Sequence, residues 1–179
     1  DKVKSVVTVS MPIEDLRTMV AHAAGFTAKY SLSSLVCDEE SAFASVKAKA
    51  QRVAKSKKHI LLLGEAGTGK QRMAHGIHQA SRQAQGPFII YQCGDSTPDI
   101  MEQELFGISV NKDVSHPGKL ELADGGTLFI DDIEKMPMDL ARTLAATLVT
   151  MESRRVGEST SRHINVRIIA ACDGDLRRY

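Results

Sequence analysis

The chain has 179 residues, enough for one ordinary domain with a small additional segment. Apolar residues make up 42% and charged residues 25%, and no apolar run reaches the roughly 18 residues of a membrane span. These values exclude a disordered chain and a fibrous rod, and we expect no membrane partner. Lys and Arg (23) balance Asp and Glu (22), and Trp is absent, so the composition indicates neither a broad basic nucleic-acid surface nor a base-stacking platform.

The three cysteines favour a reducing cytoplasm. Cys37, Cys93 and Cys172 are an odd number without CxxC spacing, which argues against a disulfide framework and a zinc site. The sequence begins with Asp1 rather than with methionine or a signal peptide, so we expect a piece of a longer protein.

The first 57 residues predict a small α/β segment followed by a linker and a helix. Residues 5–10 are β-branched and predict a strand, residues 12–24 carry apolar side chains at helical spacing, and residues 26–32 could form another strand. Residues 31–41 are rich in Ser and then acidic, which predicts a linker, and residues 42–54 predict an amphipathic helix.

From residue 58 onward, apolar strands alternate with helical patterns. Strands are predicted at 59–63, 88–92, 127–131 and 166–172, and helices at 71–84 and 140–151. Such alternation predicts an α/β fold, a parallel sheet with helices on both faces.

A glycine-rich loop between a predicted strand and a predicted helix carries the clearest chemistry. It consists of Gly64, Glu65, Ala66, Gly67, Thr68, Gly69 and Lys70. Glycines let several backbone N–H groups face one anion, the helix N-terminus adds its dipole, and Lys70 can reach terminal phosphates. The GxxxxGK[ST] pattern continues with a hydroxyl, but Gln71 stands here, and its amide replaces the usual magnesium ligand. The loop predicts binding of nucleotide phosphate; a glycine-rich turn that binds nothing is the alternative.

A second motif, GGTLFIDD at residues 125–132, places two carboxylates at the end of an apolar strand. Ligands of open α/β sheets bind at the carboxyl ends of the strands. Asp131 is predicted to hold magnesium through water, and Asp132 to stand where a base polarises the attacking water. A solvated acidic turn is the alternative.

Six segments, in order, resemble the central AAA+ domain of bacterial enhancer-binding transcription activators, the nitrogen-regulator-like proteins that typically act on sigma-54 RNA polymerase. They are GEAGTGK, FIIYQCGD, ELFG, GKLELADGGTLFIDDIEKMP, RRVGE and NVRIIAACDGDL, and the resemblance covers roughly residues 42–179. It implies a P-loop NTPase with residues 64–70 as Walker A, Asp131 and Asp132 as Walker B, Arg155 in the RVG turn, and Cys172 and Asp173 at sensor I.

The resemblance also implies cofactors and partners. These are ATP or ADP with magnesium, a homo-oligomer in the full-length protein, RNA polymerase, and DNA bound through a C-terminal domain outside this chain. Some relatives bind cyclic di-GMP near this domain. The basic cluster of Arg52, Lys55, Lys57 and Lys58, expected beside the phosphate loop, would suit that ligand, with a solvated face as the alternative.

The chain departs from the family pattern in four places. Only ten residues, ISVNKDVSHP, join ELFG to GKLE, so the GAFTGA loop that touches sigma-54 is missing. The second Walker B acid is Asp132 instead of Glu, about 1.5 Å shorter, and the asparagine that restrains this acid falls at Gln92. The sensor I Thr-Asn pair falls at Cys172 and Asp173.

Together these departures predict weak or absent hydrolysis with retained nucleotide binding, and action independent of sigma-54. Gln92 and Asp132 are the candidate catalytic residues. The alternative is a working mechanochemical ATPase that activates RNA polymerase.

The expected domains are a regulatory segment at 1–35, a linker and helix at 36–57, and an AAA+ core at 58–179. Residues 1–35 weakly resemble the end of a receiver domain, with a generic βα unit as the alternative. In the family, a further strand beside the phosphate-loop strand and a helical lid follow sensor I, so we expect the core to stop before them.

Three smaller expectations concern single residues. His75 and His78, three apart on one predicted helix, are expected on a solvated face rather than at a metal. Cys93 and Cys172 are expected as small buried hydrophobes. Arg167 interrupts an apolar strand and therefore needs a partner.

Overall fold

The computed structural model describes residues 12–35, 42–94, 96–110 and 115–174. The predicted strand at 5–10, Cys37 and most of the predicted linker lie outside the described residues. Within the described ranges, none of the helices is long and apolar enough to cross a membrane.

The described residues form six α-helices and eight β-strands. The helices are α1 (Ile13–Ala23), α2 (Ala42–Ala54), α3 (Lys70–Gln79), α4 (Pro98–Phe106), α5 (Lys119–Leu122) and α6 (Met138–Thr150). The strands are β1 (Ile60–Leu63), β2 (Phe88–Gln92), β3 (Gly107–Ser109), β4 (Ser115–Pro117), β5 (Thr127–Asp131), β6 (Glu152–Ser153), β7 (Arg162–His163) and β8 (Arg167–Cys172).

Four of these strands form one parallel sheet in the order β1-β8-β5-β2. The central strands β5 and β8 are buried almost throughout, which explains their continuous apolar runs. Strand β1 lies at one edge within the described residues, and Leu61 and Leu63 are exposed there. The remaining strands form two short antiparallel pairs, β3 with β4 and β6 with β7.

Helices cover both faces of the sheet, as the sequence predicts. On one face α2 and α3 pack against Phe88, Phe129 and Ile169. On the other face α4, α5 and α6 pack against Leu128 and Ile168. The predicted α/β fold is therefore confirmed, and it holds the carboxyl ends of four parallel strands at one edge.

Most predicted elements agree with the structure, with two corrections. The prediction of a strand at 26–32 is wrong. A backbone hydrogen bond from the Phe88 N–H to the Phe26 carbonyl (2.8 Å) joins this segment to β2, but the segment forms no β-ladder with the sheet. The helix predicted at 71–84 ends at Gln79, where the Ser81 hydroxyl donates to the His78 carbonyl (2.7 Å) and begins a turn.

The segment 26–35 shares the core of the larger unit. Leu32 is buried against α3, and a Cβ on Gly76 would lie 2.7 Å from its side chain. The backbone N–H of Lys29 donates to His75 Nδ1 (3.2 Å). The predicted domain boundary at residue 35 stays a prediction, but residues 26–35 on its amino-terminal side pack on the sheet unit.

The expected solvated histidine face is wrong. His75 and His78 are buried on α3, and both rings pack against Phe88. His78 Nδ1 lies 2.8 Å from the Thr127 hydroxyl of β5. Burial lowers the pKa of His78 to about 4, so this ring is neutral at physiological pH.

The basic cluster does not lie beside the phosphate loop, contrary to expectation. Its members occupy the end of α2 and the residues that lead into β1, and all four are exposed. The phosphate loop follows the opposite, carboxyl end of β1. Because the four residues of β1 separate its two ends, the cluster lies at the amino end of the strand, opposite the phosphate loop. Binding of cyclic di-GMP therefore stays a prediction without support from this cluster.

Arg167 has the partners that its position requires. Its buried guanidinium donates to the carbonyl oxygens of Ala54 (2.8 Å), Val53 (2.7 Å) and Lys58 (3.2 Å). Two of these carbonyls end α2, so the side chain caps that helix from within the sheet. Cys93 and Cys172 are fully buried strand-end residues, as predicted.

Candidate functional site

The glycine-rich loop lies where the carboxyl end of β1 meets α3. Gly67 and Gly69 have φ values of 79° and 85°, in the left-handed region that glycine adopts without strain. Helix α3 begins at Lys70 without a side-chain cap and without an acidic residue in its first turn. The first N–H groups of the helix and its dipole are therefore available to an anion.

The loop leaves room for a ligand. A Cβ built on Gly67 or Gly69 would meet nothing within 4 Å, so open space lies on that side of the backbone. Thr68 closes the turn with its own side chain, because its hydroxyl donates to the Glu65 carbonyl (2.7 Å). This shape, an uncapped helix and a nearby ammonium fit a phosphate group.

The ammonium of Lys70 lies over this loop and has three acceptors. Its Nζ donates to the Gly64 carbonyl (2.7 Å), to the Glu65 carbonyl (3.1 Å) and to Asp173 Oδ1. The two carbonyls hold the cation at the start of the loop. The sequence predicted Lys70 and noted Asp173 as an unusual acid, but not that these two residues, 103 positions apart, form an ion pair.

The two acids of the second motif lie at the carboxyl end of β5, next to the loop. Asp131 Oδ1 accepts from the Asp132 N–H (3.2 Å). Burial raises the pKa of Asp131, and the neighbouring carboxylates of Asp132 and Asp173 raise it further, whereas the Asp132 N–H and Lys70 lower it. Asp131, Asp132, Asp173 and Lys70 are therefore among the charged groups at this end of the sheet.

Asp132 is held in an unusual conformation by its neighbours. Its backbone is left-handed, with φ 52° and ψ 45°, which costs a non-glycine residue on the order of 1 kcal/mol. Gln92 Nε2 donates to Asp132 Oδ2 (2.8 Å), and Lys135 Nζ lies 2.9 Å from the same oxygen. The structure thus brings together Gln92 and Asp132 and adds Lys135, which sequence reasoning missed. An acid three residues before a lysine at a turn was the available signal.

The structure does not bring Gln71 to the acids. Gln71 is exposed and lines a cavity of about 340 Å³ with Lys29, Tyr30 and His75. None of the contacts among the described residues joins it to Asp131. Nor do the described residues contain a group of three or more His, Cys, Asp or Glu side chains that could hold a metal ion.

Arg155 belongs to a different network. Its guanidinium forms a two-pronged pair with Glu121 (2.6 Å for both bonds) and donates to the Ser115 hydroxyl. The backbone beside it pairs with β3, where Val156 N–H donates to Gly107 O and Ser109 N–H to Val156 O (2.9 Å each). Arg155 therefore connects β4 and α5 to the loop before β7. It does not contact Lys70 or the carboxylates of Asp131, Asp132 and Asp173.

A strand followed by a glycine-rich loop with a lysine, and a second strand of the same parallel sheet that ends in acids, define a P-loop NTPase fold. Residues 36–179 match the family described as the sigma-54 interaction domain. The chain belongs to this family, the AAA+ domain of sigma-54 activators, and the resemblance read from the sequence is confirmed.

Two proteins that the chain resembles are named as transcription regulators. The chain is 37% identical over 171 residues to the Nif-specific regulatory protein of Rhodobacter capsulatus. The aligned residues cover 92% of this chain and 29% of that protein. It is 36% identical over 142 residues to the Psp operon transcriptional activator of Escherichia coli K12, which covers 77% of this chain and 44% of that protein. The chain thus spans less than half the length of these relatives.

Solved structures show the same fold. NtrX from Brucella abortus in complex with ATP superposes with a TM-score of 0.73 at 31% identity, covering 80% of this chain and 31% of that chain. NtrX in complex with ADP gives a TM-score of 0.73 at 30% identity, covering 89% of this chain and 34% of that chain.

Proposed function

We propose that this chain is the nucleotide-binding core of a bacterial transcription regulator, with weak or absent ATP hydrolysis and with action independent of sigma-54. ATP or ADP would bind at residues 64–71, and Asp131 would hold magnesium through water. The observation that carries the proposal is the open glycine loop with the Lys70 ammonium fixed over it by two carbonyls.

The residues of the site would have different roles in binding and hydrolysis. The loop N–H groups and the α3 dipole would neutralise the phosphates, and Lys70 would reach their terminal oxygens. Bound nucleotide would supply the phosphoryl group, and magnesium would neutralise part of the negative charge on the phosphates. Gln92 and Lys135 would hold Asp132 away from a water molecule, since both occupy its Oδ2.

Weak hydrolysis is supported by the position of Asp132. A carboxylate that acts as a base has to reach the attacking water, and misplacement by about 1 Å can lower the rate on the order of a hundredfold. Asp is one methylene shorter than Glu, and here its carboxylate is engaged by two neighbours. A working mechanochemical ATPase that activates RNA polymerase stays the alternative.

Membership of the family supports a wider role for the full-length protein. The full-length protein would form a homo-oligomer in the cytoplasm, contact RNA polymerase and bind DNA through a C-terminal domain outside this chain. Action without sigma-54 is supported by the absence of GAFTGA between residues 107 and 118.

Titration with a fluorescent ATP or ADP analogue tests the binding site. Lys70→Ala should weaken binding by roughly 10- to 150-fold, because a hydrogen bond to a charged group contributes about 1.5–3 kcal/mol. Lys57→Ala, an exposed lysine at the other end of β1, is the control and should bind like wild type. Equal affinity of the Lys70 variant and wild type would disprove the assignment.

Phosphate release separates the two functions. The proposed function predicts nucleotide binding with little turnover, and the alternative predicts turnover that rises with protein concentration as subunits assemble. The measurement uses the full-length protein at several concentrations, with Lys70→Ala as the blank.

A further inference from the structure

The ammonium of Lys70 has no donor left for a ligand in this structure. A lysine ammonium carries three N–H donors, and here they go to Gly64 O, Glu65 O and Asp173 Oδ1. A phosphate that reaches this cation must therefore displace one of the three acceptors.

Asp173 is placed beside Lys70 by the order of the strands. Strand β8, which ends at Cys172, lies next to β1, with Leu63 opposite Cys172 in the register. The ladder extends one step further, because the Gly64 N–H donates to the Cys172 carbonyl (3.3 Å). The next residue after this bond is Asp173, so the carboxylate projects from the same edge as the loop.

Of the three acceptors, Asp173 is the one that can leave. The Gly64 and Glu65 oxygens belong to the backbone of the loop, and Gly64 is tied into the sheet. The Asp173 side chain is 38% exposed, whereas that of Lys70 is 11% exposed. Rotation of the aspartate into solvent would free one N–H without disturbing the loop.

If the Asp173 carboxylate stayed in place, its negative charge would also repel the phosphates of the nucleotide. Asp131 and Asp132 already place negative charge at this end of the sheet, and the Asp173 carboxylate, paired with Lys70, adds to it. Like charges close together in a partly desolvated site repel one another strongly. The repulsion grows with the number of phosphates that reach Lys70.

We propose that Asp173 is a specificity-determining residue, which competes with the terminal phosphate for Lys70 and disfavours the triphosphate more than the diphosphate. This inference rests on the proposed function, since it concerns the same site. The reason for the selectivity is that the lysine of this motif reaches the β- and γ-phosphates, so a γ-phosphate brings further charge to the place that Asp173 occupies.

Asp173→Asn tests the competition, because it removes the charge and keeps the size. Titrations with fluorescent ATP and ADP analogues at fixed magnesium and salt should show ATP binding tighter by on the order of tenfold, and ADP binding changed by less than about threefold. Asp139→Asn is the matched control: Asp139 is 97% exposed, pairs only weakly with Arg142 (3.3 Å), and should leave both affinities unchanged.

A double variant, Lys70→Ala with Asp173→Asn, separates this inference from the proposed function. If the Asp173→Asn change no longer tightens ATP binding when Lys70 is also replaced, competition for Lys70 is supported. If wild type binds nucleotide through Lys70 but Asp173→Asn binds ATP no more tightly, or gains equally for ATP and ADP, the inference fails and the proposed function stands.

If neither wild type nor Asp173→Asn binds nucleotide, both are wrong. A purely structural aspartate would show itself by a lower melting temperature with unchanged affinities, which also overturns the inference. Circular dichroism of each variant identifies a folding defect, and Asp173→Ser repeats the test if the Asn variant fails to fold.

Discussion

Arg167 is a buried charge that joins the end of α2 to strand β8 of the sheet. Its guanidinium is 3% exposed and donates to three backbone carbonyls, of which those of Val53 and Ala54 end the helix. Burial lowers the pKa of this guanidinium, yet arginine stays charged at neutral pH. We therefore predict that Arg167→Met destabilises the fold through the helix end.

The magnitude follows from the acceptors that lose their donor. A hydrogen bond to a charged group contributes about 1.5–3 kcal/mol, and a buried carbonyl left unpaired costs about 1–3 kcal/mol. The variant also removes a buried charge, which offsets part of the loss. We expect the free energy of unfolding to fall by about 3 kcal/mol, which lowers the melting temperature by roughly 6–12 °C in a chain of this length.

Urea and thermal unfolding followed by circular dichroism measure this change. Arg167→Lys keeps the charge but offers a single ammonium in place of a planar fork, so we expect an intermediate loss. Arg142→Met, at a pair whose Arg142 side chain is 74% exposed, is the control and should change stability by less than about 0.5 kcal/mol. An Arg167→Met variant as stable as wild type would refute the reasoning and show that the charge is dispensable.

Two other predictions concern acid stability and catalysis. Because the folded pKa of His78 is about 4 and the unfolded value is 6.5, its contribution is complete above about pH 7 and is lost as pH falls between these values. We expect about 2 kcal/mol less stability at pH 5 than at pH 7.5, and a smaller loss in His78→Gln; equal losses in urea titrations would contradict the assignment. Asp132→Glu should raise phosphate release by the full-length protein, because the longer side chain reaches past Gln92 towards the water; no gain would indicate that Gln92 or Asp173 is the stronger block.

Local patterns were sufficient to predict the four strands of the parallel sheet, but not α4, α5 or the two short antiparallel strand pairs. The strands at residues 88–92 and 127–131 match the predicted bounds, because an apolar run between turn residues shows a buried strand directly. The glycine loop was predicted for the same reason: its chemistry lies in seven consecutive residues. The histidines of α3 were misjudged, because the periodicity of a helix does not show which face a second layer of the fold will cover.

What the sequence determined by itself is the four strands of the parallel sheet, the phosphate loop and the acids at the strand ends. Tertiary structure alone decided which of these groups meet. The contacts of Lys70 with Asp173 and of Gln92 with Asp132 join residues 103 and 40 positions apart, and each exists because their strands end at the same edge of the sheet. The order β1-β8-β5-β2 places those ends side by side, and strand order is a long-range property that no local pattern encodes.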